Sequence, residues 1–473
     1  MDSVKFGTSG LRGLAVDLQG QAARRYTAAF LRHLKGLGAL VSDRVYLARD
    51  FRASSAAITA DCAAAIEAHG LRPIDCGALP TPALALHAMA AQSPSIMITG
   101  SHIPADRNGL KFYTPSGEIS KADEAGILAA LRDEQIADAA LPVAHEHVAA
   151  IERYVARFAD LAPAGSLRGW RIGVFEHSTV ARDILGAILH RAGAEIVPLG
   201  RVDGFVAVDT EAFGDAVFAP LKGWIASEKL DAIVSADGDG DRPLLMDKQG
   251  AFVRGDVLGL LAARYLGADA VVTPVTSNSA IEKTGFFPKV IRTKVGSPFV
   301  VAGIAEAIVG GASVVVGFEA NGGTLLGTPA LVGGGEISAL PTRDAVLPLL
   351  SALALAARQG VNLAELVASL PLQFAASDRL EHVPGEKSTA LLGRLADDAD
   401  YAAAFFAPDH EIERLSQIDG LQFWTRAGEM VHFRASGNAP ELRCYVESGS
   451  EAGARALLQW GLGAAAGALK ELP

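Results

Sequence analysis

Three short apolar runs in this 473-residue chain each end in a polar, glycine-containing loop. Ser95–Thr99 runs into Gly100-Ser101-His102, and Ala232–Ser235 into Asp237-Gly238-Asp239-Gly240-Asp241. Val314–Val316 runs into Gly317-Phe318-Glu319-Ala320-Asn321-Gly322-Gly323. Runs of this length bounded by such loops read as strands, and the Ala/Leu-rich stretches between them read as helices. Repeated strand–helix alternation predicts an α/β protein with parallel or mixed sheets. Ligands collect at the carboxyl ends of strands in open α/β sheets. Three such ends, 136 and 82 residues apart, therefore point to three similar α/β domains offering loops to one cleft. No direct sequence repeat accompanies them.

Local signals agree with that alternation. Val45–Ala48 is a strand candidate, followed by Ser54 or Ser55 as a helix N-cap. Ile58, Cys62 and Ile66 then recur every four residues, and Gly70 is placed to stop the helix. Ser120-x-x-Asp123 has the spacing of a capping box. The last hundred residues differ in pattern. Val431–Phe433 and Leu442–Val446 read as strands and the Ala464–Ala468 tract as the end of a helix, which predicts a smaller α+β domain. The expected segments are 1–145, 146–252, 253–369 and 370–473.

Lys and Arg number 42 against 53 Asp and Glu, a formal charge of −11. Such a chain is a poor general binder of nucleic acid or of acidic membranes, so an anionic substrate needs a local basic pocket. The three cysteines, Cys62, Cys76 and Cys444, form no CxxC pair, which fits a reducing, cytoplasmic setting. The first ten residues lack the basic-then-apolar pattern of a signal peptide. Ala345–Ala357 contains Pro348 and is shorter than the roughly 20 residues that span a bilayer.

The acidic loop carries the sharpest chemistry. Asp237, Asp239 and Asp241 repel one another, and each pair at ~4 Å costs on the order of 4 kcal/mol at an effective dielectric of 20. The alternating positions can face one side while the glycines let the backbone bend around an ion. An all-oxygen set selects magnesium or calcium. The EF-hand alternative fails, because Arg242 stands where that loop needs Gly and Lys248 where it needs Glu. Ser101, on a strand-to-loop turn, is a nucleophile or a turn residue; Ile103 excludes a G-x-S-x-G elbow. Lys111 is a surface lysine or a general acid/base. Glu319 and Asn321 could grip vicinal hydroxyls. Arg434, Ser436, Gly437 and Asn438 combine a guanidinium, a hydroxyl, a bare amide and a side-chain amide, a set suited to phosphate or to a simple turn.

Taken in order, these loops resemble the α-D-phosphohexomutase family, in the flavour of bacterial phosphomannomutase/phosphoglucomutase. KFGTSGLRG (Lys5–Gly13), ARDFRASS (Ala48–Ser55), TGSHIPADRNGLKFY (Thr99–Tyr113), DGDGDR (Asp237–Arg242), GFEANGG (Gly317–Gly323) and RASGNAPELR (Arg434–Arg443) carry the resemblance over essentially the whole chain. It implies four domains around a central cleft: three similar α/β domains and the smaller C-terminal one. It further implies phosphosugar substrates and an exchange of the phosphoryl group between hexose 1- and 6-phosphates through a 1,6-bisphosphate, which also serves as activator. By the same resemblance Ser101 carries the phosphoryl group and, with Asp237, Asp239 and Asp241, holds Mg²⁺. Lys111 is the general acid/base, with His102 beside the serine and Arg12 and Arg242 lining the centre. Glu319 and Asn321 grip the sugar, Arg434, Ser436, Gly437 and Asn438 hold the distal phosphate, and Lys294 and Ser297 face substrate. This chain departs from the pattern at Gly100, commonly Ala; at Ile103, commonly Asn; at Asn321, commonly Ser; and at Gly323, commonly His. The rival readings are an amino-sugar phosphate mutase, a magnesium-dependent phosphatase with an aspartyl nucleophile, and a non-catalytic sugar-phosphate binder.

Overall fold

The first sheet runs, strand by strand, Lys5–Phe6, Leu11–Leu14, Arg107–Thr114, Ser95–Ile98, Arg44–Arg49, Arg72–Ala78, Ala144–His145. It belongs to a computed structural model that describes every residue except 1–2, 8–9, 139–142, 215, 409, 437–439 and 473. The short strand Gly117–Glu118 pairs with Arg107–Thr114 off that path. Strand 44–49 is parallel to 72–78 and to 95–98, whereas 107–114 is antiparallel to 95–98, so the sheet is mixed. Helix Ser55–Ala68 buries Ile58, Cys62 and Ile66 in the core of this sheet, as the four-residue stripe predicts.

Two further mixed sheets follow. The second is ordered Glu195–Leu199, Arg171–Phe175, Ala232–Ala236, Pro243–Asp247, Phe252–Val253. The third is ordered Lys289–Thr293, Ala270–Pro274, Val315–Phe318, Thr324–Leu326, Leu340–Asp344. The fourth is wholly antiparallel: Phe374–Leu380, Leu442–Ser448, Met430–Ala435, Leu421–Thr425, Ile412–Ser416. Helix Glu451–Glu471 packs on it and includes the Ala464–Ala468 tract. The fold class is therefore the one expected, several α/β domains with mixed sheets and a small C-terminal α+β domain. Among the described residues no helix is long and apolar enough to cross a membrane.

The chain divides into two compact units. The first comprises Met1–Thr273, Phe287–Ile291 and Gly296–Ser369; the second comprises Pro274–Phe286, Arg292–Val295 and Leu370–Pro473. Two pieces of the expected third segment thus group with the C-terminal sheet. Hydrogen bonds explain the grouping. The Asn278 amide donates to the Gln373 carbonyl at 2.8 Å, the Gln422 amide to the Val275 carbonyl at 2.7 Å, and the Ser279 N–H to Glu447 at 2.9 Å.

Capping expectations divide. Ser120 and Asp123 form a full capping box at the start of helix Lys121–Ala130. Ser54 sits at the N-cap position of helix 55–68 but makes no side-chain cap bond. The reason is competition: Ser54 accepts from the Asn108 amide, and the Ser55 hydroxyl donates to Asp50 at 2.6 Å.

Within the first unit, Asp344 fastens helix Val346–Gln359. Its Oδ1 accepts from the Val346 and Leu347 N–H groups and from the Tyr154 hydroxyl at 2.7 Å. Burial raises the Asp344 carboxyl above the ordinary range, with Arg157 opposing. A raised folded pKa means that this group's contribution is complete below the unfolded value of about 4 and declines as pH rises through the folded one. Asp344→Asn keeps an acceptor and removes the ionisation. Unfolding free energies from urea titrations should therefore fall more steeply for wild type than for Asp344→Asn between pH 4 and pH 6 (about the window set by the reference pKa), and parallel curves would refute the assignment.

Candidate active site

Ser101 has a backbone φ of 54°, in the left-handed region that a non-glycine residue occupies at a cost of about 1–3 kcal/mol. The surrounding structure enforces it. The Ser101 N–H donates to Thr99 Oγ1 at 2.7 Å, the Thr99 hydroxyl donates to Asp50 Oδ2 at 2.8 Å, and Arg52 Nε donates to the same carboxylate at 3.1 Å. The Arg52 guanidinium then donates to four loop carbonyls: Pro104 at 2.6 Å, Arg107 at 2.9 Å, Ser101 at 2.9 Å and Ile103 at 2.6 Å. Its face lies 4.0 Å from the centroid of Phe205. Gly100 is part of this fit. A Cβ there would stand 2.6 Å from Arg52 Cζ, so an alanine has no room while Arg52 keeps its place.

The acidic loop meets Ser101 from the second sheet. The Ser101 hydroxyl donates to Asp237 Oδ2 at 2.5 Å. Asp237, Asp239 and Asp241 are buried, and each offers an oxygen within 4.8 Å of the others. Thr81 fixes Asp239 by donating to its Oδ2 at 2.6 Å and to its carbonyl at 2.9 Å. Lys111 Nζ lies 2.5 Å from Asp239 and 2.6 Å from Asp241. Asp239 Oδ1 and Asp241 Oδ1 have no hydrogen-bond partner among the described residues. Two orphaned buried carboxylate oxygens beside a third carboxylate and a serine hydroxyl fit a hard divalent cation such as Mg²⁺.

The charges sort themselves by environment. Burial, then Asp239 and Asp241, push the Asp237 carboxyl well above its usual range. Burial pushes on Asp241 too, but Arg343, Lys111 and Arg242 outweigh it and hold that carboxyl well below the usual range. Burial pulls the Lys111 ammonium down, yet Asp239 and Asp241 leave it raised. Arg12 is lowered to about 10 by burial and by the neighbouring Arg242 and Arg343. His102, with Nδ1 3.3 Å from Ser101 Oγ, is lowered to about 2 by burial, then Arg242 and Arg12.

Glu319 sits at the carboxyl end of strand Val315–Phe318 and accepts from Arg343 Nη1 at 2.9 Å. Asn321 spends its side-chain oxygen within its own loop, accepting from the Gly323 N–H at 3.0 Å. Ser297 is buried and donates to Glu118 at 2.9 Å, because Glu118 is held there by Thr342 at 2.7 Å. It lines a water-sized cavity of about 20 Å³ with Lys111.

The second unit holds Lys294, Arg434 and Ser436; Gly437 and Asn438 lie outside the described residues. Lys294 is exposed. Asp419 ties its loop to Arg434, accepting from the Val295 N–H at 2.9 Å and from Arg434 Nε at 2.8 Å. Arg343, Thr81 and Asp419, which lie outside every motif, and Arg52, which lies in one without an expected role, contact these site residues. For Arg343 a signal existed, a charged Arg343-Asp344 pair inside an otherwise apolar stretch.

The sequence matches the family described as phosphoglucomutase/phosphomannomutase, alpha/beta/alpha domain I, over residues 3–137 and domain III over residues 254–374. It is 47% identical to a phosphomannomutase of Sinorhizobium fredii over 97% of this chain and 98% of that one. A phosphomannomutase of Salmonella muenchen is 40% identical over 95% and 92%. In fold, the chain is similar to a phosphoglucomutase/phosphomannomutase family protein of Burkholderia thailandensis, with a TM-score of 0.78, 20% identity and coverage of 98% and 97%.

Arg52 and Asp50 are a fully buried pair, and removing one partner of such a pair typically costs about 3–5 kcal/mol. Arg52→Met should lower unfolding free energy by about that amount and speed amide exchange across residues 101–107. Gly100→Ala, which presses on the same guanidinium while leaving every charge in place, should speed exchange in the same segment. Unchanged exchange there in both variants would show that Arg52 does not hold the loop.

Proposed function

Because this chain belongs to the phosphoglucomutase/phosphomannomutase family and is a phosphohexomutase, we propose that it interconverts the 1- and 6-phosphates of mannose, and of glucose, with Ser101 as the phosphoryl carrier. The observation that supports this most is the strained Ser101 turn, whose hydroxyl stands 2.5 Å from Asp237 inside the buried carboxylate cluster. Mg²⁺ held by Asp237, Asp239, Asp241 and a Ser101 oxygen would neutralise charge on the transferring phosphoryl group.

The remaining roles belong to the chain. Phospho-Ser101 gives its phosphoryl group to the free hydroxyl of a hexose monophosphate: the new O–P bond forms as the Ser101 Oγ–P bond breaks, and Lys111, the general acid/base, supplies a proton to the departing serine oxygen and takes up the one the hydroxyl releases. The hexose 1,6-bisphosphate then turns end for end, and its other phosphate returns to Ser101. Hexose 1,6-bisphosphate supplied from outside charges an unphosphorylated serine and so acts as activator. Arg12 and Arg242 add positive charge where the phosphate oxygens pass, and His102, held neutral, contacts the serine oxygen. Glu319 and the amide NH₂ of Asn321 take sugar hydroxyls. Arg434, Ser436, Gly437, Asn438 and Lys294 hold the phosphate that is not reacting. Residues 1–145, 146–252, 253–369 and 370–473 serve as the four functional segments, each supplying one of these loops. Three buried free cysteines suit a cytoplasmic location.

The test is conversion of mannose 1-phosphate and glucose 1-phosphate to their 6-phosphates with Mg²⁺ and a trace of hexose 1,6-bisphosphate. Ser101→Ala should reduce turnover by at least about a thousandfold and abolish covalent labelling from bisphosphate, as expected for loss of a nucleophile. Turnover confined to glucosamine 1-phosphate would displace the mannose and glucose assignment. A wild-type protein phosphorylated at Ser101 that converts none of the three would overturn the mutase reading of this site.

A further inference from the structure

Arg343 lies on strand Leu340–Asp344, far in sequence from each motif that carries the chemistry, and is among the largest fully buried side chains of the chain. Its guanidinium reaches two of the proposed functional loops at once. Nη2 and Nε stand 2.8 and 3.2 Å from Asp241 Oδ2, and Nη1 stands 2.9 Å from Glu319 Oε2. Lys111 Nζ takes the same Asp241 Oδ2 at 2.6 Å, while Asp241 Oδ1 is left without a hydrogen-bond partner among the described residues. The two cations therefore turn Asp241 so that one oxygen is bound internally and the other is kept for a ligand.

The room for this arginine comes from Gly323. A Cβ on Gly323 would stand 2.6 Å from Arg343 Cδ, 2.9 Å from Cγ and 3.1 Å from Cβ. Strand Thr324–Leu326, which begins one residue later, is paired antiparallel with the arginine's own strand. A side chain at 323 and the observed path of Arg343 exclude each other.

We propose that Arg343 is a positioning residue for the hexose phosphate, tying the sugar-facing Glu319 to the metal-loop Asp241, and that bare Gly323 is its obligatory counterpart. The inference rests on the mutase reading of Glu319 and Asp241. A planar guanidinium bridges two carboxylates in a fixed geometry that a lysine ammonium cannot reproduce. Fixing Glu319 relative to the reacting serine sets how tightly the sugar is held, whereas the metal needs the other face of Asp241. Loss of the arginine should thus separate sugar affinity from metal affinity. A purely structural ion pair would lose both together with stability.

The experiment compares Arg343→Met, Arg343→Lys, Gly323→Ala and the Gly323→Ala/Arg343→Met double variant in the full chain. Calorimetric titration with mannose 6-phosphate, which needs no turnover, and Mn²⁺ titration followed by electron paramagnetic resonance are the readouts, beside KM and kcat for mannose 1-phosphate. Arg343→Met should weaken sugar-phosphate binding and raise KM by about tenfold or more, the scale expected for a lost charge-assisted contact. Mn²⁺ affinity should stay the same or tighten, because a positive charge beside Asp241 has gone. Arg343→Lys should restore less than half of the loss. Gly323→Ala retains every charged group and should reproduce the weakened sugar binding, and the double variant should match the worse single variant, since both act on one contact. Unchanged sugar affinity in Gly323→Ala, additive effects in the double variant, or Mn²⁺ affinity lost in step with sugar affinity would each overturn the proposal. Absence of wild-type turnover with normal sugar-phosphate binding would count against the mutase reading instead.

Discussion

Three aspartates buried within reach of one another are the constraint on which the first unit depends. Carboxylates taken out of water need compensation close by. It comes from three directions: Lys111 on the first sheet, Arg242 at the end of the acidic loop itself, and Arg343 on the third sheet. The strand ends of three sheets are thereby held to one point by charge. The compensation is also uneven. Asp241, facing Arg343 and Lys111, is pulled below the usual carboxylate range, while Asp237 is pushed above it by burial and by its neighbours. Asp237 is also the carboxylate that accepts the Ser101 hydroxyl hydrogen bond.

The serine turn shows a second use of buried charge. A buried ion pair such as Asp50–Arg52 is weak evidence for stability, since well-packed apolar side chains often do as well. What Arg52 supplies is geometry. Four carbonyls of one loop converge on its guanidinium, and the Asp50 carboxylate fixes both that guanidinium and, through Thr99, the Ser101 amide. A serine held at a positive φ by such a frame needs little rearrangement to present its oxygen, which is the structural content of preorganisation. The same strain in an unsupported loop would relax.

Much of this architecture was legible in local sequence because its signals are local. The strand at 45–48, the Ile58/Cys62/Ile66 stripe, the Ser120–Asp123 box and the three strand-to-loop transitions each depend on residues a few positions apart. What was not legible depends on pairings across the chain. Ser54 and Ser55 have the composition of helix caps, yet Asn108 and Asp50 recruit both hydroxyls. Ser297 sits in a plausible substrate loop, yet Glu118, 179 residues away in sequence, takes its hydroxyl. Residues 274–286 lie between two strands of the third sheet in sequence but bond to the C-terminal one. Arg343 and Asp419 stand in no motif, because what they hold is brought near them only by folding.

The departures from the family pattern take on meaning once the arginines are placed. Gly100 stands where the family commonly has alanine, and Gly323 where it commonly has histidine. Read as sequence, both are deletions of side chain at a reactive loop. In the structure each vacated volume is filled by an arginine from another segment: Arg52 against Gly100 and Arg343 against Gly323, each 2.6 Å from the missing Cβ. Both guanidiniums are buried and both bind a carboxylate, Asp50 in one case and Asp241 with Glu319 in the other. In this chain neither arginine keeps its path if a Cβ is added at its glycine. Each glycine and its arginine therefore constrain each other, although they are separated by 48 residues in one case and 20 in the other.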